Sequence, residues 1–354
     1  MSDTEEIIYF FPLVSPKIGL GHLIRCVDIA NFFDKNKKAI IILREHKNFI
    51  SISNLDHIDV ILINNISEIS QVIGKGAVIF LDILSDSVWK NSIEVLKICK
   101  NSGAITIAID SMPPTDLSNL GLNAKFWPQI LITPYTNIRK LIYKNFSRVW
   151  FRGPQFIWPS QKYVATIANK LDKHHVPRIL VSCGGADQEE FSFFITDQLI
   201  HLGPKYVHIT VAVGPHFNVK HISRLKKLSQ QHKNVTILEN SSNLKCVLKN
   251  SDYLVGKFGT LRYLAIRLGV WGIYLNSAKQ YEEYANSLVN DGVCDVFASY
   301  DLDALEKFKV KLIEIVNENP LLLEEKRTRL IKKFASGSFE DVLEEIKRLQ
   351  HEND

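Results

Sequence analysis

The sequence predicts an α/β protein of two Rossmann-like, parallel-sheet domains facing a central cleft. The chain has 354 residues, against about 150 for a typical single domain. Short apolar runs alternate along it with segments of three- and four-residue apolar spacing, the signature of parallel strands joined by helical crossovers. The alternation also occurs twice, on either side of a polar, proline-punctuated stretch.

In the first half the strand-like runs are 7–13, 39–43, 60–63, 77–81, 105–109 and 130–132. The segment after the first run carries Leu23, Val27, Ala30 and Phe33, one face of a helix. In the second half the runs are 179–181, 207–213, 235–238, 253–255 and 272–275, each leading into a helix-like segment. Between them, Gly153-Pro154 and Pro159 break up structure, and a polar stretch ends at Pro177. The predicted division is a first domain at 1–160, a linker at 161–177, a second domain at 178–335 and a helical tail at 336–354.

Composition excludes several function classes. Hydrophobic residues make up 46% and charged residues 23%, which rules out disorder as the main state. No apolar run approaches the roughly 20 residues of a membrane span. The acidic start lacks the basic region of a signal peptide, so a cytoplasmic location is expected. A net charge of +5 is small and scattered, which reads as a solvated face and not as a nucleic-acid partner surface. It also suits an anionic small molecule. The five cysteines stand singly, without metal-site spacing, so reduced thiols are expected, with no metal and no cofactor. Oligomeric state is not legible.

Three strand-to-helix loops can carry chemistry. The first contains Gly19-Leu20-Gly21-His22 and then Arg25. Backbone N–H groups at a helix start favour a phosphate or developing anion. The third glycine of a dinucleotide fingerprint is absent, because Ile24 stands there. His22 reads either as a general base at the carboxyl edge of the sheet or as a helix cap, and Arg25 as a ligand or a surface cation. The second loop is Ser182-Cys183-Gly184-Gly185-Ala186-Asp187. Here Ser182, Gly184 and Gly185 allow close approach to a diphosphate, or simply make a tight turn. Asp187 and Glu190 have capping-box spacing. The third loop is Gly256-Lys257-Phe258-Gly259-Thr260. Thr260 reads as an N-cap or a phosphate ligand, with Lys257 balancing its charge. Beyond it, Asn276 and Gln280 are sugar-hydroxyl ligands or turn formers. Asp82 and Asp110 end strands, facing the cleft or capping the next helix.

The stretch Gly19-Leu20-Gly21-His22 with Arg25-Cys26 and Ile29-Ala30 resembles the first loop of the UDP-sugar hydrolases of the pseudaminic acid pathway and their spore-coat polysaccharide relatives. Gly153-Pro154 with Phe156, Ser182 to Asp187, and Leu275 to Gln280 with Tyr284-Ala285 are similar to later segments of that family, in order. The resemblance spans residues 6 to about 295. It implies a GT-B fold, with the base on the first domain and the nucleotide on the second. It also implies release of UDP from a UDP-diacetamido-trideoxy-hexose by water that His22 activates. Gly19, Gly21, Arg25, Asp82, Ser182, Gly184, Gly185, Lys257, Gly259, Thr260, Asn276 and Gln280 would then contact the UDP-sugar. The chain departs from the pattern where a ribose-binding Glu is expected, on or near Leu264, and at Trp271 and Asp110-Ser111. Two other readings stand beside hydrolysis: a GT-B glycosyltransferase with a nucleotide-sugar donor, and a non-catalytic nucleotide-sugar-binding homologue.

Overall fold

The computed structural model describes residues 7–14, 20–33, 37–49, 55, 57–83, 92–110, 124–134, 148–158, 175–202, 207–239 and 244–353. The chain forms two compact units, one of residues 1–162 with 336–354 and one of residues 163–335. Each is a parallel α/β unit.

In the first unit the strands are β1 Ile7–Pro12, β2 Lys37–Leu43, β3 Asp59–Ile63, β4 Val78–Ile83, β5 Ile105–Asp110, β6 Ile130–Thr133 and β7 Val149–Arg152. The helices are α1 Gly21–Ala30, α2 Ile69–Val72 and α3 Ser92–Asn101. The sheet order is β3-β2-β1-β4-β5-β6-β7, every described pairing parallel. Central strands are continuous apolar runs because helices cover both faces. Phe10, Phe80, Ile40, Ile107 and Ile130 are fully buried. From β1 the chain builds outward to β3, then returns to place β4 on β1's other side. The reversal leaves a crevice at the carboxyl ends of β1 and β4, the place where open α/β sheets bind ligands.

The second unit repeats the plan with β8 Arg178–Ser182, α4 Phe191–His201, β9 His208–Val213, α5 Val219–Gln231, β10 Val235–Glu239 and α6 Leu244–Lys249. It continues with β11 Tyr253–Lys257, α7 Leu261–Arg267, β12 Trp271–Asn276, α8 Glu282–Asn290, β13 Cys294–Ala298, α9 Leu302–Val316 and α10 Pro320–Lys333. The order β10-β9-β8-β11-β12-β13 reverses between β8 and β11. At the amino ends of those two strands, buried Asp252 accepts from Arg178 N–H at 2.8 Å and lies 2.7 Å from His175 Nε2. At the other end, Gly256 lies so close to β8 that a Cβ there would sit 1.9 Å from the Ser182 carbonyl oxygen.

Residues 336–354, expected as a tail, supply helix α11, Phe339–Asn353, to the first unit. Phe339 stacks on Phe80 at 6.3 Å and meets Phe32 edge-on at 5.9 Å, so an aromatic anchor holds the helix to the sheet. Most of the expected linker, 161–174, lies outside the described residues. Sequence reading missed β7 and β13. Both are the last strands of their sheets, and their half-buried side chains dilute the apolar run that marks an inner strand. All five cysteines are free thiols, Cys246 exposed and the rest buried. Among the described residues no helix is long and apolar enough to cross a membrane.

Gly256→Ala should cost about 3 kcal/mol or more, since backbone and not a movable side chain opposes the new methyl. Thermal unfolding checks this; an unchanged midpoint would contradict the close approach of β11 to β8.

Candidate functional site

In the first unit, three groups meet at the crevice where the strand order reverses. Pro12 at the end of β1 is in register with Asp82 on β4. Helix α1 begins beside them at Gly21, putting His22 and Arg25 three residues apart on one face. His22 Nδ1 lies 2.7 Å from Asp82 Oδ1. Arg25 donates through Nε to Asp82 Oδ2 at 2.7 Å and through Nη2 to Oδ1 at 2.5 Å. Its Nη2 is also 3.2 Å from His22 Nδ1. Arg25 and Asp82 are fully buried and His22 is 3% exposed.

Burial by itself would raise the Asp82 carboxyl, but the Arg25 guanidinium and then His22 outweigh it and hold the group below its ordinary value. Asp82 is therefore an ionised carboxylate holding one side of an imidazole. A histidine whose Nδ1 donates to a carboxylate has Nε2 as its proton acceptor.

These contacts decide several sequence readings. His22 is no helix cap, because Leu20 occupies that position and makes no side-chain cap bond. Arg25, expected on the UDP-sugar or at the surface, is instead enclosed with Asp82. Both Asp82 oxygens are engaged by His22 and Arg25. Gly21 is the first residue of α1. Gly19 and the Asp110 side chain lie outside the described residues.

In the second unit the loop after β8 turns through Gly184 at φ +85° and continues through Asp187 and Glu190, both also at positive φ. Asp187 stands four residues before α4, so the capping-box spacing fails. Its carboxylate nevertheless holds the helix start, accepting from Phe191 N–H at 3.0 Å, Ser192 N–H at 2.9 Å and Ser192 Oγ at 2.5 Å. Glu190 pairs with Arg224 instead of closing the box. Burial raises the Asp187 carboxyl, against the lowering effect of its bonds to Ser192. Gly185 has open space where a Cβ would stand, consistent with a surface that a ligand can approach. Sequence reading missed the support beneath this turn. Gly214 abuts it, its virtual Cβ 2.4 Å from the Gly185 oxygen, and His216 N–H donates to that oxygen at 2.9 Å. The available signal was Gly214-Pro215 directly after an apolar strand.

Lys257 ends β11, next to β8, and its ammonium lies 2.7 Å from Glu189. Burial disfavours ionised Glu189, but the bond to Lys257 prevails and its carboxyl falls below the ordinary value. Sequence reading did not foresee this pair. Gly259 N–H donates to the Lys257 carbonyl at 2.7 Å. Thr260 is the N-cap of α7 yet makes no capping bond, because its backbone is already helical at φ −64°. Buried Arg262 supports the turn from below, donating to the Gly259 carbonyl at 2.6 Å and stacking 4.1 Å from the Phe258 ring. Leu264, near the expected ribose-binding Glu, is fully buried in the core. Asn276 is a turn former: it is buried, and its Oδ1 accepts from Ala278 N–H at 3.2 Å. Gln280 is exposed on the turn Lys279–Tyr281. Ser182 closes β8, half-buried. Among the described residues, no cluster of His, Cys, Asp and Glu has the makings of a metal site.

No protein-family model and no curated protein matches the chain. Solved structures do. The spinosyn rhamnosyltransferase SpnG complexed with thymidine diphosphate aligns at TM-score 0.62 and 12% identity, over 97% of this chain and 100% of that one. Medicago truncatula UGT71G1 complexed with UDP-glucose aligns at TM-score 0.61 and 11% identity, over the whole of both chains. Acinetobacter baumannii MurG aligns at TM-score 0.59 and 9% identity, over 97% and 99% of the two chains. The fold is therefore GT-B. The hydrolase family named by motif resemblance has no support among these matches.

Removing the Asp82 charge leaves Arg25 buried and uncompensated, so Asp82→Asn should cost about 3–5 kcal/mol near pH 7. The folded carboxyl sits below its unfolded value of about 3.9. Its stabilisation is thus present above about pH 4 and lost as pH falls through the lower folded value. Urea midpoints of wild type and variant should converge as pH drops from 6 to 3. A gap independent of pH would contradict an ionised Asp82.

Proposed function

We propose that the chain is a glycosyltransferase using a nucleotide-sugar donor, with His22 as the base. The observation that carries this reading is the 2.7 Å contact of His22 with an ionised, buried Asp82 at the reversal point of the first sheet. In the transfer, an acceptor hydroxyl loses its proton to His22 Nε2 as its oxygen bonds to the anomeric carbon. The bond from that carbon to the diphosphate breaks, and its electron pair leaves with the nucleoside diphosphate. Proton removal by a positioned histidine supplies about 10²–10⁴ of rate. For the diphosphate we propose contacts within the second unit: the Gly184–Gly185 turn, the Thr260 hydroxyl and Lys257, once Lys257 exchanges Glu189 for phosphate.

The nucleotides named with similar folds support this substrate class, since UGT71G1 is complexed with UDP-glucose and SpnG with thymidine diphosphate. UDP is the nucleotide we favour, on the motif resemblance. A second reading uses the same residues with water as acceptor, releasing UDP from a UDP-diacetamido-trideoxy-hexose. The first loop favours it, because Gly21-His22 with Arg25-Cys26 resembles the UDP-sugar hydrolases. The two differ only in which oxygen attacks.

His22→Ala should leave UDP affinity within about twofold while lowering donor turnover about 10²–10⁴-fold. Titration calorimetry with UDP and a nucleotide-release assay report the two quantities separately. Surviving turnover would remove His22 from the chemistry. Lys257→Ala should weaken UDP binding about tenfold, as expected for one lost charge-assisted contact; unchanged affinity would move the diphosphate elsewhere.

A further inference from the structure

A buried guanidinium is retained only where its charge is met, and that of Arg25 is met on Asp82. The geometry lets Arg25 act on His22 in two ways. The first is orientation. Arg25 grips both carboxylate oxygens, Oδ2 through Nε at 2.7 Å and Oδ1 through Nη2 at 2.5 Å. This two-point contact fixes the plane of the carboxylate as well as its position. The Oδ1 so fixed lies 2.7 Å from His22 Nδ1, nearer than the 3.2 Å between that nitrogen and Arg25 Nη2. A carboxylate oxygen accepts and a guanidinium only donates, so the two neighbours ask opposite things of Nδ1. The shorter contact, with a full negative charge, favours a proton on Nδ1 and a lone pair on Nε2.

The second is charge. Arg25 balances the Asp82 charge and sets a positive group 3.2 Å from the ring. The other titratable neighbour shown at the cluster, Cys26 on α1, has a thiol pushed well above its ordinary value by burial and then by Asp82, so it stays neutral. His22 thus rests beside a net-neutral pair.

We infer that Arg25 is a positioning residue for the proposed transfer, an inference that rests on that reading: through Asp82 it holds the His22 ring with its proton on Nδ1 and leaves Nε2 to accept the proton of an acceptor hydroxyl. Arg25 itself is fully buried and acts through Asp82.

The test reads the ring directly. Long-range nitrogen–proton NMR spectra of the full chain, with His22 assigned by its loss in His22→Gln, should show the His22 ring protonated on Nδ1. Arg25→Gln should show the proton shared between Nδ1 and Nε2, because two contacts no longer fix the carboxylate plane. Its kcat should fall about a hundredfold, as for a reacting group displaced by about 1 Å, with KM within about threefold. Arg25→Lys, which keeps the charge and loses the two-point grip, should restore only part of the Nδ1 tautomer and of kcat. The inference is overturned if wild-type His22 carries its proton on Nε2. It is also overturned if folded Arg25→Gln leaves the tautomer and kcat unchanged. The wild-type spectrum decides even where Arg25→Gln does not fold. If wild type transfers no sugar from any donor, the proposed function fails, while the spectra still decide whether Arg25 sets the state of His22.

Discussion

Ionising a carboxylate inside a protein is unfavourable unless opposite charge and hydrogen bonds replace the water it loses. Asp82 meets this constraint with both oxygens: Arg25 takes two contacts and His22 one. The rest of the first unit serves this arrangement. Asp82 must end a central strand, which the β4 position beside β1 provides. His22 and Arg25 must share one face of α1 near its start, and the reversal of strand order must open a crevice there.

The second unit uses the same architecture with different groups at its reversal point. Its reversal point carries backbone and hydroxyl groups where the first carries an acid–base pair. The support of Gly214 beneath Gly184–Gly185 sets one of its turns. Close strand approach at Gly256, with Arg262 from inside the core, sets the other. The Lys257–Glu189 pair leaves a cation already balanced by the protein's own carboxylate. Under the proposed function an incoming diphosphate would have to displace that carboxylate, so affinity there would reflect an exchange of partners and not the capture of a bare charge.

The sequence displayed the alternation of inner strands and helices clearly, because buried parallel strands are apolar on both faces and need no partner to be recognised. The half-exposed edge strands β7 and β13 lacked that signal. Of the candidate site, His22 stood out by its place after Gly21. The contact across 60 residues that gives it meaning was not legible, because nothing local in Asp82 distinguishes an orienting carboxylate from a capping one. Arg25 was misread for a related reason: a cation on a helix start looks exposed until the strand that covers it is known. Asp187 was closer to expectation, since it does hold the start of α4, but from three residues before the capping position that Glu190 occupies. Glu189 and Gly214 were missed because their roles depend on neighbouring strands and loops.

The central claim is that a hydroxyl activated by His22 displaces the nucleotide from a sugar. Its most direct test follows nucleotide release from a panel of UDP- and TDP-sugars in ¹⁸O-labelled water, with and without a mixture of hydroxyl acceptors. The account predicts release that rises with acceptor, requires His22, and leaves unlabelled sugar on the acceptor. Label in free sugar at an acceptor-independent rate would make water the acceptor and the chain a hydrolase. No release from any donor, with nucleotide still bound, would contradict catalysis at this site altogether.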